Sequence, residues 1–177
     1  LFKEIAAGSI RIFGDNPYGW RMPALLFSLL GNVVIYFFLR DIFNRRSIGF
    51  LTSLFLSFDF LYFIHARLAV PETIFVALGW TSLYFLWRHT RQTKIMTKHL
   101  ILGSVFLGLA LATKWTALFI LIPYFFLMMK GGKIKSLLLS LFPLCLITFS
   151  IYTATYIPYL NRHGFWAWVV LQQQMFW

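Results

Sequence analysis

The first thirteen residues repeat with a helical period. Phe2, Ile5, Ala6, Ile10, Ile12 and Phe13 fall on one face and Lys3, Glu4 and Arg11 on the other, which predicts an amphipathic helix. Gly14-Asp15-Asn16-Pro17 should stop it, because Pro cannot continue a helix and Gly and Asn accept turn geometry. So short a helix cannot cross a bilayer, and residues 1–14 are expected to lie flat in the interface. Beyond residue 22 the pattern turns apolar, in six segments at 23–39, 47–64, 72–87, 100–113, 115–129 and 137–157. A span needs about 20 residues, with a lower limit near ~17. The first, second and last segments reach that limit and the third falls just short. The fourth and fifth are short arms on either side of Lys114, which fits a tight helical hairpin better than one bent helix. Gly103 and Gly108 would let that hairpin pack closely on a neighbour. The tail, 158–177, is aromatic and apolar and carries Gln172, Gln173 and Gln174; it reads as an outer loop or a second interfacial helix. The expected fold is all-α: one membrane domain, a polytopic bundle of about six spans over 22–157, with short interfacial helices on the outer face.

Composition supports lipid as the solvent. Of 177 residues, 60% are apolar, 20% aromatic and only 12% charged, where a globular domain carries about 25% charge. A chain this short has too little interior to hide that much apolar surface from water. Cys145 is the single cysteine, so no disulfide framework within the chain is available. A net charge of +11 would point to nucleic acid in a soluble protein. Here ten of the sixteen basic residues sit in three short loops between apolar segments: Arg40, Arg45 and Arg46; Arg88, Arg91, Lys94 and Lys98; Lys130, Lys133 and Lys135. That alternation is a topology signal with these loops inside, and no nucleic-acid partner is expected. Trp20, Trp115, Trp166, Trp168 and Trp177 fall at or beyond the outer ends of the segments, where an amphipathic ring prefers to sit. The chain opens on Leu1 without Met and is expected to be an internal piece of a longer integral-membrane protein. The expected location is a bacterial or archaeal plasma membrane, or the endoplasmic reticulum in a eukaryote, with the active side outside.

An ionisable group at membrane depth is expensive unless paired or wetted, which makes it a functional candidate. Asp59, His65, Arg67 and Glu72 lie within 14 residues, where the second segment exits and the third begins. Lys114, in Ala112-Thr113-Lys114-Trp115-Thr116, is flanked by apolar sequence on both sides. On the bland reading the first group pins a helical hairpin and Lys114 snorkels to the headgroups. On the functional reading Arg67 and Lys114, expected on the same side, hold a phosphate or pyrophosphate, Arg forking onto two oxygens and Lys adding a point charge. His65, His89, His99 and His163 have no ligand spacing and fall on both sides, so no metal site is expected from them. Walker, GxGxxG and GxSxG motifs are absent. Gln172 to Gln174 could line a polar outer cavity or equally lie on the surface.

Several of these residues resemble motifs of the dolichyl-phosphate-mannose–protein mannosyltransferase family. Ile12-Phe13-Gly14-Asp15-Asn16-Pro17-Tyr18-Gly19-Trp20-Arg21 resembles its segment after the first outer loop. Asp59 with His65-Ala66-Arg67 and Glu72 is similar to its Asp…Ser-Arg-Ile-Ala…Asp stretch, with Ala66 in place of Ser and Glu72 in place of Asp. Leu109-Ala110-Leu111-Ala112-Thr113-Lys114-Trp115 resembles its Ala-Thr-Lys-Trp motif, and Leu171 to Met175 its Leu-Gln-x-x-Met segment. The resemblance implies a C-type glycosyltransferase that moves a sugar, usually mannose, with inversion from a polyprenyl-phosphate carrier to an outer-face acceptor, a protein Ser/Thr or a lipid. It implies no tightly bound cofactor and leaves a divalent metal open. It assigns the donor phosphate to Arg67 and Lys114, with Asp59, His65, Glu72, Trp115 and Gln172 as supporting polar groups. The catalytic base would be an acidic residue of a loop upstream of Leu1, so this stretch alone should be inactive. A bacterial lipid-modifying relative, a secondary transporter and a non-catalytic membrane scaffold are the alternatives. Against a transporter, the charges cluster near the outer interface and no pair of Gly/Pro-broken spans marks two repeats.

Overall fold

A computed structural model describes residues 1–177 apart from 93, 95, 131–133 and 175–177, and apart from the side chains of 130, 134 and 137. Lys133, Met175 and Trp177, invoked above, lie outside the described residues. Every regular element among the described residues is helical.

Helix α1 (Phe2–Phe13) ends at Gly14, whose φ of 84° belongs to the left-handed region that glycine tolerates best. The Asn16 side chain then caps α2 (Pro17–Phe43), its Oδ1 accepting from Tyr18 N at 2.9 Å and Gly19 N at 3.1 Å, with Pro17 preset for the first turn. Gly19 lets the two helices meet: a Cβ there would lie 2.2 Å from the Gly14 carbonyl oxygen. Helix α2 leaves Leu25, Leu26, Leu29, Leu30, Val33 and Phe37 exposed, as a lipid-facing helix does.

Helices α3 (Arg46–Phe58) and α4 (Phe60–Arg67) are bent by 65° at Asp59, which leaves helical geometry and caps α4 by accepting from Tyr62 N at 2.7 Å. Helix α5 (Glu72–Thr90) is the buried centre, with Ile74, Ala77, Leu78, Ser82 and Leu86 shielded. Helix α6 (Lys98–Leu111) runs antiparallel to it, Ser82 Oγ donating to Gly103 O at 2.8 Å and His89 Nδ1 meeting Thr97 Oγ1 at 2.9 Å. A 3₁₀ segment, Trp115–Ile120, leads into α7 (Leu121–Lys130), which turns back parallel to α5: Ile120 packs at Gly79 and Tyr124 at His89. The reversal at Lys114 is therefore present. Helix α8 (Ile134–Ala154) packs on α6 through Gly108, where a Cβ would stand 2.7 Å from Thr148 O, and Thr148 Oγ1 donates to Ser104 O at 3.2 Å. Helix α9 (Ile157–Gln174), kinked at Gly164, leaves α8 at 98°.

The all-α expectation holds; the count of six spans is not confirmed. Among the described residues α2 alone is long and apolar enough to cross a membrane, and up to three spans result if the bent pairs α3–α4 and α8–α9 each count as one. The segment 47–64 is broken because the Asp59 carboxylate competes for backbone N–H groups, which ends one helix and starts another. The 72–87 segment became a 19-residue helix, but one with Thr73, Thr81, Ser82 and His89 buried against protein. A helix surrounded by other helices needs less hydropathy than one facing lipid. The arms around Lys114 remain short, at Lys98–Leu111 and Trp115–Met129.

Candidate functional site

The alternation of helix directions collects the sequence candidates at one end of the bundle. Helix α6 ends in a tight turn: Thr113 Oγ1 donates to Ala110 O at 2.6 Å, and the Thr113 and Lys114 amides bond to the same carbonyl. Lys114 is then extended, with φ −155° and ψ 129°, and its exposed ammonium reaches the first residue of α5, Nζ to Glu72 Oε1 at 3.5 Å. Glu72 sits well there, as an acid beside the positive end of a helix dipole. Its other oxygen, Oε2, is buried with no hydrogen-bond partner among the described residues.

The turn also delivers Trp115, whose ring meets Tyr152 edge-on at 5.9 Å. Tyr152 donates to Gln172 Oε1 and stacks obliquely on Tyr156, which in turn meets Trp168 at 6.4 Å. A polar–aromatic chain thus runs from α5 through the Lys114 turn to α8 and α9. Beside it, Leu107, Leu111, Trp115, Cys145, Phe149 and Tyr152 enclose an apolar recess of 230 Å³.

Arg67 stands at the same end, as the last residue of α4 and five positions before Glu72, but in a separate recess. Its guanidinium lies 5.3 Å from the Phe63 ring, and it shares a cavity of 470 Å³ with Arg21, Tyr18 and Leu25. The structure therefore brings Glu72, Lys114, Trp115 and Gln172 into one connected group, with Arg67 near it in the chain. Asp59 is placed otherwise, as the α4 cap, and His65 lies part-exposed on α4. Among the described residues no three His, Cys, Asp or Glu side chains come together. His163 packs on Tyr159 at 4.6 Å, and His99 meets Gln92 at 3.1 Å at the opposite end.

Sequence reasoning passed over Arg21, Tyr152 and Tyr156. A signal for Arg21 existed: Tyr18, Arg21, Met22 and Leu25 have the i, i+3, i+4, i+7 spacing of one helix face. Nothing in the sequence pairs Tyr152 with Gln172, since twenty positions and the 98° corner separate them.

The family profile described as dolichyl-phosphate-mannose-protein mannosyltransferase matches residues 1–162. The chain belongs to that family. The match takes in Arg21, Arg67, Glu72, Lys114 and Tyr152 and ends before Gln172. No curated protein and no solved structure matches the chain. The family is one of integral-membrane glycosyltransferases that use a polyprenyl-phosphate mannose donor.

Proposed function

We propose that the Lys114 end of the bundle holds the phosphate of a polyprenyl-phosphate sugar and that the protein transfers this sugar, with inversion, to an acceptor on the outer face of a membrane. The single observation that carries this reading is the Lys114 turn. It takes an ammonium out of an apolar run, leaves it exposed, and fixes it beside a carboxylate at a looser 3.5 Å. An exposed pair of that kind is worth about 0–1 kcal/mol, so a phosphate can replace Glu72 as the partner of Lys114. Arg67 lies with Arg21 in a separate recess at the same end, and its forked guanidinium would reach further phosphate oxygens only of a donor that bridges the two recesses. As the sugar leaves, negative charge grows on the phosphate, and cations already in position stabilise it without reorganising. The apolar recess beside Trp115 suits the first units of a prenyl chain. Glu72 orients Lys114 between turnovers, and the Tyr152–Gln172 pair holds α9 over the site. A protein hydroxyl is the acceptor favoured by the family, and mannose the sugar.

The test is transfer from a polyprenyl-phosphate sugar by the full-length protein. Removing one electrostatic donor of this kind typically costs ~10²–10³ in rate, and Lys114→Ala and Arg67→Ala are each expected to lose that much at unchanged folding. Glu72→Gln breaks the same ion pair but keeps the cation, and should stay within about tenfold of wild type, one such step being ~1.4 kcal/mol. Equal losses for Glu72→Gln and Lys114→Ala would reduce the pair to a helix clamp and overturn the donor assignment.

A further inference from the structure

The end of the bundle opposite Lys114 gathers charge for which sugar transfer has no use. Helix α2 finishes there with Arg40-Asp41, α5 with Arg88 followed by Arg91, and α6 starts there with Lys98 and His99. Asp41 organises the group. Its Oδ1 accepts from Arg40 Nε at 2.9 Å, and its Oδ2 accepts from the Tyr84 hydroxyl at 2.8 Å and from Arg88 at 3.3 Å. Aromatic rings support the guanidinium groups: Phe37 lies 4.7 Å from Arg40, Tyr84 5.0 Å from Arg88 and Trp87 5.1 Å from Arg91.

One carboxylate faces four cations here. The chain has five acids, and the other four, Glu4, Asp15, Asp59 and Glu72, do not line this recess. Asp41 is fully engaged by Arg40, Arg88 and Tyr84. Arg91 and Lys98, both exposed, therefore bring charge not paired with Asp41 to an open recess of 680 Å³ that Asp41, Asn44 and His99 also line. Guanidinium groups, an ammonium and an amide donor around one recess, with the Asp41 carboxylate already engaged by Arg40, Tyr84 and Arg88, suit a tetrahedral oxyanion.

We propose that this recess binds the phosphate of an anionic lipid headgroup, with Arg91 and Lys98 meeting it and Asp41 positioning Arg88 beside them. The lipid is favoured over a soluble phosphate because the recess opens at the C-terminal end of α2, the helix long and apolar enough to cross a membrane, and the end of such a span would sit among headgroups. The site would tie α2, α5 and α6 together at one leaflet while the chemistry proceeds at the other. It does not depend on the assignment of Arg67 and Lys114.

The experiment is a thermal melt of the detergent-purified full-length protein titrated with short-chain phosphatidylglycerol, short-chain phosphatidylcholine or inorganic phosphate. Phosphatidylglycerol is expected to raise the melting temperature saturably, by about 5 °C at a hundredfold excess over its dissociation constant, and the gain should shrink with added salt. Phosphatidylcholine and inorganic phosphate should give no saturable rise. The double variant Arg91→Ala/Lys98→Ala should lose the response, and Lys98→Gln alone, at an exposed position, should weaken it without changing the lipid-free melt. Lys114→Ala should keep it in full. Equal responses to the two lipids, or a full response in the double variant, would overturn the site. A response to inorganic phosphate alone would overturn the lipid as its ligand.

Discussion

At the residue scale, the same side-chain chemistry is used in two ways, and geometry tells them apart. Asp59 and Glu72 both looked like intramembrane carboxylates. In the structure Asp59 is occupied by the Tyr62 amide, while Glu72 meets Lys114 across the bundle. Loss of an N-cap costs about 1 kcal/mol. Asp59→Ala is therefore expected to lower the unfolding midpoint measurably, whereas Asp59→Asn, which keeps the accepting oxygen, should melt and transfer sugar like wild type. A large loss of transfer in Asp59→Asn would show that its charge serves the site. Arg67 and Lys114 were legible as candidates because an Arg or Lys inside apolar sequence is conspicuous. Arg21 was quoted only within a motif: its spacing with Tyr18, Met22 and Leu25 marks a shared helix face, but the recess which that face lines with Arg67 appears only in the fold.

At the element scale, glycine marks where helices touch. Gly103 and Gly108 were read from sequence as close-packing positions, and both are: an added Cβ would lie 2.7 Å from Leu86 Cδ2 at the first and 2.7 Å from Thr148 O at the second. Neither neighbour can move aside cheaply: at Gly103 the Leu86 Cγ lies at 2.8 Å and its backbone N at 3.2 Å in a fully buried residue, and at Gly108 the Thr148 carbonyl and the nearby Ile151 Cβ are fixed to α8. Gly108→Ala is expected to cost about 1–3 kcal/mol through overpacking, read as a lower melting temperature. Gly8, on α1, has open space where its Cβ would point. Gly8→Ala should instead stabilise by up to ~1 kcal/mol, the difference in helix propensity. The break at Asp59 was illegible for a related reason: its apolar flanks run on without interruption, and a single cap decides where one helix stops.

For the whole molecule, the alternation of helix directions sets which charges share an end. Asp41 joins α2 to α5 at one end and Glu72 joins α5 to the Lys114 turn at the other. With the exposed Cys145 replaced by Ser, a cysteine at Met96 and one at Tyr18 are each exposed. In sealed vesicles a membrane-impermeant thiol reagent is expected to label them from opposite sides. Labelling of both from one side would overturn the alternation and, with it, the separation of the two charged ends.

The sequence by itself determined the helical class, the membrane solvent, the family and the short list of cations, because each follows from local composition, spacing or motif. The breaks within the apolar segments, the partner of Lys114 and the joining of Tyr152 to Gln172 were decided only in three dimensions. They depend on bends of 65° and 98° and on contacts between helices far apart in the chain. Hydropathy, summed along one helix at a time, carries no information about either.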